Sequence, residues 1–186
     1  GSAHNTTDAN AISHFSERGK LFLFHNTGVE GMYTKNVVYV SDGCDADPIP
    51  CACERVAVAD LPDFGLSATE LAPYRGTTWL RTVLWRRGEY FVVLDRVRAL
   101  RAGQYACGAT WRSFYRAELD GRTWKAEADG DTFYLKSGDD RPSVAEHAGL
   151  EGAARPYVLR QSSPLLTDAQ VGDVDAFHNL IYLSGP

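Results

Sequence analysis

Val83-Leu84-Trp85-Arg86-Arg87-Gly88-Glu89-Tyr90-Phe91-Val92-Val93-Leu94-Asp95-Arg96-Val97 is the most strongly patterned stretch of the chain. Apolar Val83, Leu84 and Trp85 precede a polar break, Arg86 to Glu89, whose glycine fits a hairpin connection. Tyr90 to Leu94 then form an unbroken apolar and β-branched run closed by Asp95-Arg96. Runs of this composition suit strands buried on both faces. The reading makes this hairpin the axis of the fold, with the other strands pairing beside it or packing onto it.

Outward from the axis, Asn10 to Ser16 reads as a weak strand, turned by Glu17-Arg18-Gly19-Lys20 into the apolar run Leu21 to Phe24. Asn36 to Val40 is β-branched, and Arg55 to Ala59 alternates. Ser67 to Tyr74 fits either a strand or a helical turn. Beyond the axis, Gln104 to Tyr115 alternates loosely, and Trp124 to Ala128 and Thr132 to Lys136 flank the turn signal Asp129-Gly130-Asp131. Ser137 to Ala154 reads as a loop with at most one helical turn, and Tyr157 to Gln161 and Phe177 to Leu183 as closing strands. No helical periodicity is sustained anywhere. Short strands separated by turn signals predict an all-β fold, a large antiparallel β-sandwich of the supersandwich kind, occupying residues 1–186 as one domain.

A length of 186 residues is enough for one substantial core, and 44% hydrophobic with 23% charged residues points away from disorder. A net charge of -5 without a dense basic stretch argues against nucleic acid as a partner. The sequence has no apolar run of the roughly 18 residues that a membrane span needs. Cys44, Cys51, Cys53 and Cys107 are an even set. They read as two disulfides, or one with two free thiols, in any of three pairings, which suits a secreted or periplasmic protein.

The richest polar segment is His4-Asn5-Thr6-Thr7-Asp8-Ala9-Asn10. A histidine four residues before an aspartate, ahead of a strand, is able to orient a general base or a metal ligand. His25 directly follows an apolar run, at a strand end where sites are often built. Trp111-Arg112 pairs a ring that could stack on a sugar with a guanidinium able to hold a carboxylate or sulfate. Core packing is the competing reading for each of Trp79, Trp85, Trp111 and Trp124. Nucleophile-elbow, phosphate-loop and zincin motifs are absent from the sequence, which removes those hydrolase and nucleotide-binding classes.

The segment His4 to Ile12, followed by Gly19 to Phe24, resembles the signature of the C-terminal β-domain of heparinase II/III-like polysaccharide lyases, in which His-x-His-x-Asp precedes paired strands. Lys35 to Gly43 is similar to that family's His-Asn-Thr-Val-x-Val-x-Gly strand. Arg81 to Leu84 with Gly88 to Val97 looks like its paired strands around Tyr-x-Val-Val-x-Asp. The resemblance spans residues 4 to about 115 and thins beyond.

It implies β-elimination on an acidic, uronate-containing polysaccharide, with the uronate carboxylate neutralised, the C5 proton removed and the leaving O4 protonated. His4 takes the place of the family's catalytic β-domain histidine, and Asn5, Asp8, Lys35, Arg81, Trp111 and Arg112 are the expected substrate-binding residues. Thr6 stands where some members have a zinc-binding histidine, and His25 falls near the acidic ligand position. No cofactor is therefore expected, with a structural zinc at His25 as the alternative. The family's helical toroid, which carries its catalytic tyrosine and carboxylate-binding asparagine, has no counterpart in this sequence. The chain is accordingly expected to be a C-terminal segment of a larger protein, inactive alone, with the missing helical domain as its partner. The competing function is a non-catalytic carbohydrate-binding or structural β-sandwich module.

Overall fold

The computed structural model describes residues 9–25, 35–43, 52–149 and 155–184. They contain fourteen strands and no helix, so no helix is long and apolar enough to cross a membrane. A short hairpin, β1 (His14–Glu17) and β2 (Lys20–Phe24), precedes β3 (Val38–Ser41). A meander follows: β4 (Glu54–Asp60), β5 (Phe64–Tyr74), β6 (Thr77–Arg86) and β7 (Tyr90–Ala99). Then come β8 (Ala106–Ser113) and a second meander of β9 (Ala117–Asp120), β10 (Thr123–Ala128) and β11 (Asp131–Ser137). The chain ends in β12 (Ser143–His147), β13 (Tyr157–Ser162) and β14 (Val174–Ser184).

The last strand makes the architecture. β14 inserts antiparallel between β7 and β11 and so joins the two meanders into one eight-stranded sheet, β4-β5-β6-β7-β14-β11-β10-β9. A four-stranded sheet, β12-β13-β8-β3, forms the second layer, and the β1-β2 hairpin is a small sheet of its own. The all-β antiparallel sandwich expected from the sequence is the fold found.

Turn chemistry fixes the registers. Arg18-Gly19, Arg75-Gly76 and Asp129-Gly130 each place two consecutive residues at positive φ (50° and 73°, 46° and 77°, 43° and 88°). That conformation gives a two-residue turn whose twist matches its flanking strands. The central hairpin has a three-residue loop with Gly88 at φ 74°, pairing Arg86 with Tyr90. Its register then sets Arg81 opposite Asp95.

Two expectations change. The central strands are not buried on both faces: Trp79, Arg81, Val93, Asp95 and Val97 are buried, while their alternate neighbours are half-exposed or exposed. The apolar run therefore covers one core face and one partly wet face. The segment 137–154, expected to be loop, contains β12, an edge strand whose exposed Val144 leaves it little apolar signature. Ser67 to Tyr74, left open between strand and helical turn, is part of β5.

The core has two lobes. One gathers Val38, Leu71, Trp79, Val97, Cys107 and Phe177; the other gathers Phe22, Val93, Trp111, Trp124, Phe133 and Ile181. Cys53 and Cys107 are free, so four cysteines in two disulfides is not the arrangement found; Cys44 and Cys51 lie outside the described residues. Burial pushes the Cys107 thiol far up, which keeps it protonated and unreactive.

Candidate functional site

Two buried polar nodes lie between the sheets. In the first, Asp95, wholly buried, accepts from Arg81 Nε at 2.7 Å and Nη2 at 2.9 Å, and from Trp79 Nε1 at 2.8 Å. The remaining Arg81 nitrogen, Nη1, donates to the carbonyls of Asn10 and Asn36, both at 3.0 Å. The guanidinium also lies 4.8 Å from the Trp79 ring centre and 5.7 Å from that of Trp111. A charge this deep persists only if fully paired, and here every partner is protein.

Asn10 adopts φ 64° and sends its amide to the carbonyls of Trp79 (3.3 Å) and Thr69 (3.4 Å). Its left-handed backbone turns the chain out of β1's approach, and its side chain fastens that turn to β5 and β6. Asn36 does the same for the strand-entry segment before β3. Its amide nitrogen donates to the carbonyls of Ile12 and Phe24, each at 2.9 Å, and its carbonyl accepts from the Arg112 backbone N–H at 2.8 Å. One buried side chain thus ties both arms of the first hairpin to β8.

The result is a corner at the open end of the hairpin. His14 and His25 face each other with ring centres 5.9 Å apart, and His25 N donates to Ser13 O at 2.9 Å. Lys35 immediately precedes the Asn36 clip and is 1% exposed, as is Arg112, whose Cζ lies 5.8 Å from the Phe24 ring centre. Phe24 stacks on Phe114, which is half-exposed. Imidazoles exchange protons near neutral pH, and lysine and arginine carry the positive charge that pairs with carboxylates, so these residue types suit work on an acidic ligand.

The expected site residues separate into three groups. The backbones of Lys35, Arg112 and His25 meet around the Asn36 side chain, which bonds Phe24 O and Arg112 N. Arg81 sits beneath it, committed to Asp95 and two carbonyls, so it positions the site and offers no nitrogen to substrate. Trp111 is 0% exposed, with Nε1 bonded to Gln161 Oε1 at 3.1 Å. Exposing its ring to a sugar would forfeit roughly 4–6 kcal/mol of burial, against about 1 kcal/mol for an aromatic contact. Its core role is the stronger one; Trp85 is the tryptophan with surface left over, its ring laid across Gly65, where a Cβ would overlap it. His4, Asn5 and Asp8, with Thr6, lie outside the described residues.

For zinc, two imidazoles are half of the four ligands a structural site takes, and no three His, Cys, Asp or Glu side chains converge among the described residues. The described residues by themselves do not fit that metal. Sequence reading passed over Asn10, Asn36 and Asp95 as site-building residues. For Asp95 a signal existed: a hairpin with Gly88 at the middle of its loop sets position 81 opposite 95, an arginine facing an aspartate.

No family model matches the chain, and no curated protein is significantly similar to it. Solved structures are similar in fold. A heparinase III superposes with a TM-score of 0.69 at 13% identity, over 90% of this chain and 29% of its own. The heparan sulfate lyase HepC from Pedobacter heparinus gives 0.67 at 15% identity, over 90% of this chain and 29% of its own. A putative aldose 1-epimerase from Escherichia coli K12 gives 0.50 at 12% identity, over 96% of this chain and 81% of its own. The chain therefore resembles one part of the lyase structures and spans less than a third of their length.

Proposed function

We propose that this chain is the β-domain of a polysaccharide lyase that cleaves an acidic, uronate-containing polymer by β-elimination. The observation that carries the reading is the fold shared with heparinase III, on which the backbones of His25, Lys35 and Arg112 gather around Asn36, next in sequence to segments bearing the lyase-like motif. Lys35 and Arg112, each 1% exposed, supply positive potential from beneath the histidines rather than direct contact, which helps to neutralise the uronate carboxylate and acidifies the adjacent C5 proton. His4, on the segment leading into the Asn10 anchor, moves the proton to or from the reacting centre. Asn5 and Asp8 flank it and contact the sugar. Arg81 and Asp95 hold the platform without touching substrate.

The β-domain supplies half of the machinery, and a helical domain of the same longer chain supplies the other half, so these 186 residues alone do not turn over substrate. Such a protein works where polysaccharide is, outside the cytoplasm. The test is absorbance of the unsaturated uronate product when the full-length parent is mixed with uronate polymers. Turnover that His4→Ala lowers at least 100-fold, with the fold unchanged, supports the reading. Equal turnover in the variant, or none by the parent on any uronate polymer, overturns it.

A further inference from the structure

A concavity lies at the turn end of the β1-β2 hairpin, away from the histidine corner. There the Arg18-Gly19 turn meets the Arg86–Tyr90 loop and the end of β14, enclosing a notch of about 130 Å³. Phe15, Tyr90 and Tyr182 line it along with Arg18, Arg86 and Arg87. By strand pairing Tyr90 lies beside Tyr182, and Tyr182 beside Tyr134, whose ring stacks on it at 4.7 Å. An aromatic row thus leads out of the notch across the half-exposed face of the large sheet.

We propose that this notch is a saccharide-binding subsite that takes one acidic sugar unit, separate from the histidine corner. Three features point to that ligand. At about 130 Å³ the space is close to the roughly 150 Å³ of a cavity that takes a single six-membered ring, so it admits one ring and not a polymer in cross-section. Its lining joins aromatic surface, which suits the apolar C–H face of a sugar ring, to guanidinium groups, which hold a carboxylate or sulfate in a fork.

Third, the arginines are available at little cost. Arg86 pairs with Glu89 at 2.9 Å and Arg87 with Asp60, through side chains that are each about half-exposed or more. Exposed pairs of this kind contribute at most about 1 kcal/mol. A ligand anion replaces Glu89 or Asp60 readily, where nothing could replace Asp95 on Arg81. Glu17 and Glu89 on the rim oppose the anion and limit affinity to the weak range of a subsite. Both turns are closed by glycines at positive φ, so the arginine backbones are fixed before ligand arrives.

The test uses the 186-residue chain, calorimetry and a glucuronate-containing tetrasaccharide, with its carboxyl-reduced form as the neutral counterpart. Binding of the acidic form at least tenfold tighter than the neutral form, reduced about tenfold in Arg86→Gln/Arg87→Gln and unchanged in Arg96→Gln/Arg98→Gln, supports the subsite. No binding, equal binding of the two saccharides, or equal weakening by both variants overturns it. His4→Ala leaves this binding intact, so loss of lyase turnover and loss of subsite binding are separable results.

Discussion

The two polar nodes between the sheets occupy similar depths and do different things. Arg81 and Asp95 form a charged node that reaches the backbone of Asn10 and Asn36, segments belonging to neither large sheet. Gln161, Asn179 and Trp111 form a neutral one: Gln161 Nε2 donates to Asn179 Oδ1 at 2.8 Å, and Gln161 Oε1 accepts from Asn179 at 3.1 Å and from Trp111 at 3.1 Å. The neutral node joins strands that pairing and apolar burial already hold. The charged node holds the arm and hairpin that build the candidate site. Buried charge is thus added where a hairpin outside both large sheets is located, beyond the apolar packing of Phe22 and Leu23, at a link between packing and function.

Breaking the charged node is the harshest test of that difference. Asp95→Asn leaves a buried guanidinium without its counter-charge and is expected to cost about 3–5 kcal/mol, read as a fall in the denaturation midpoint. Next comes the Asn36 clip. Asn36→Ala orphans the carbonyls of Ile12 and Phe24 and the N–H of Arg112, an expected loss of about 2–3 kcal/mol that falls on the hairpin and β8 together.

The neutral node is expected to yield less. Asn179→Leu removes Gln161's acceptor while Trp111 still satisfies Gln161 Oε1, so about 1–2 kcal/mol is expected, again from denaturation midpoints.

The smallest effect belongs to the hairpin's turn. Lys20 and Arg18 bond the Asp131 carboxylate and hold it below the usual range, and Arg141 does the same to Asp139. With folded values below the unfolded one near 4, their stabilisation is complete above that pH and is lost as pH falls through the lowered values. Asp131→Asn is therefore expected to lose less stability than the parent between pH 7 and pH 3 in urea titrations.

The hairpins of the large sheet were legible in sequence because they carry local signals, Asp129-Gly130 and the run from Val83 to Val97, and Glu17 to Lys20 marked the separate β1-β2 hairpin in the same way. What was hidden was long-range. Nothing near Val174 says that β14 inserts between β7 and β11, and β4 is exposed at all seven residues, so its alternation marks a strand without marking a core. At the site, Arg81 read as a substrate-binding group and Trp111 as either a sugar platform or a core residue, and both are buried. Both sit in strands where alternation alone leaves inside and outside undecided, and only the second layer decides it.

Amide hydrogen exchange across residues 11–25 tests the central claim, that the charged node holds the site-bearing hairpin, most directly. In Asp95→Asn the account predicts that protection there falls at least tenfold more than in β13, while Asn179→Leu leaves residues 11–25 at parent protection. Uniform loss across both regions in Asp95→Asn, or equal loss at the hairpin in the two variants, would contradict it.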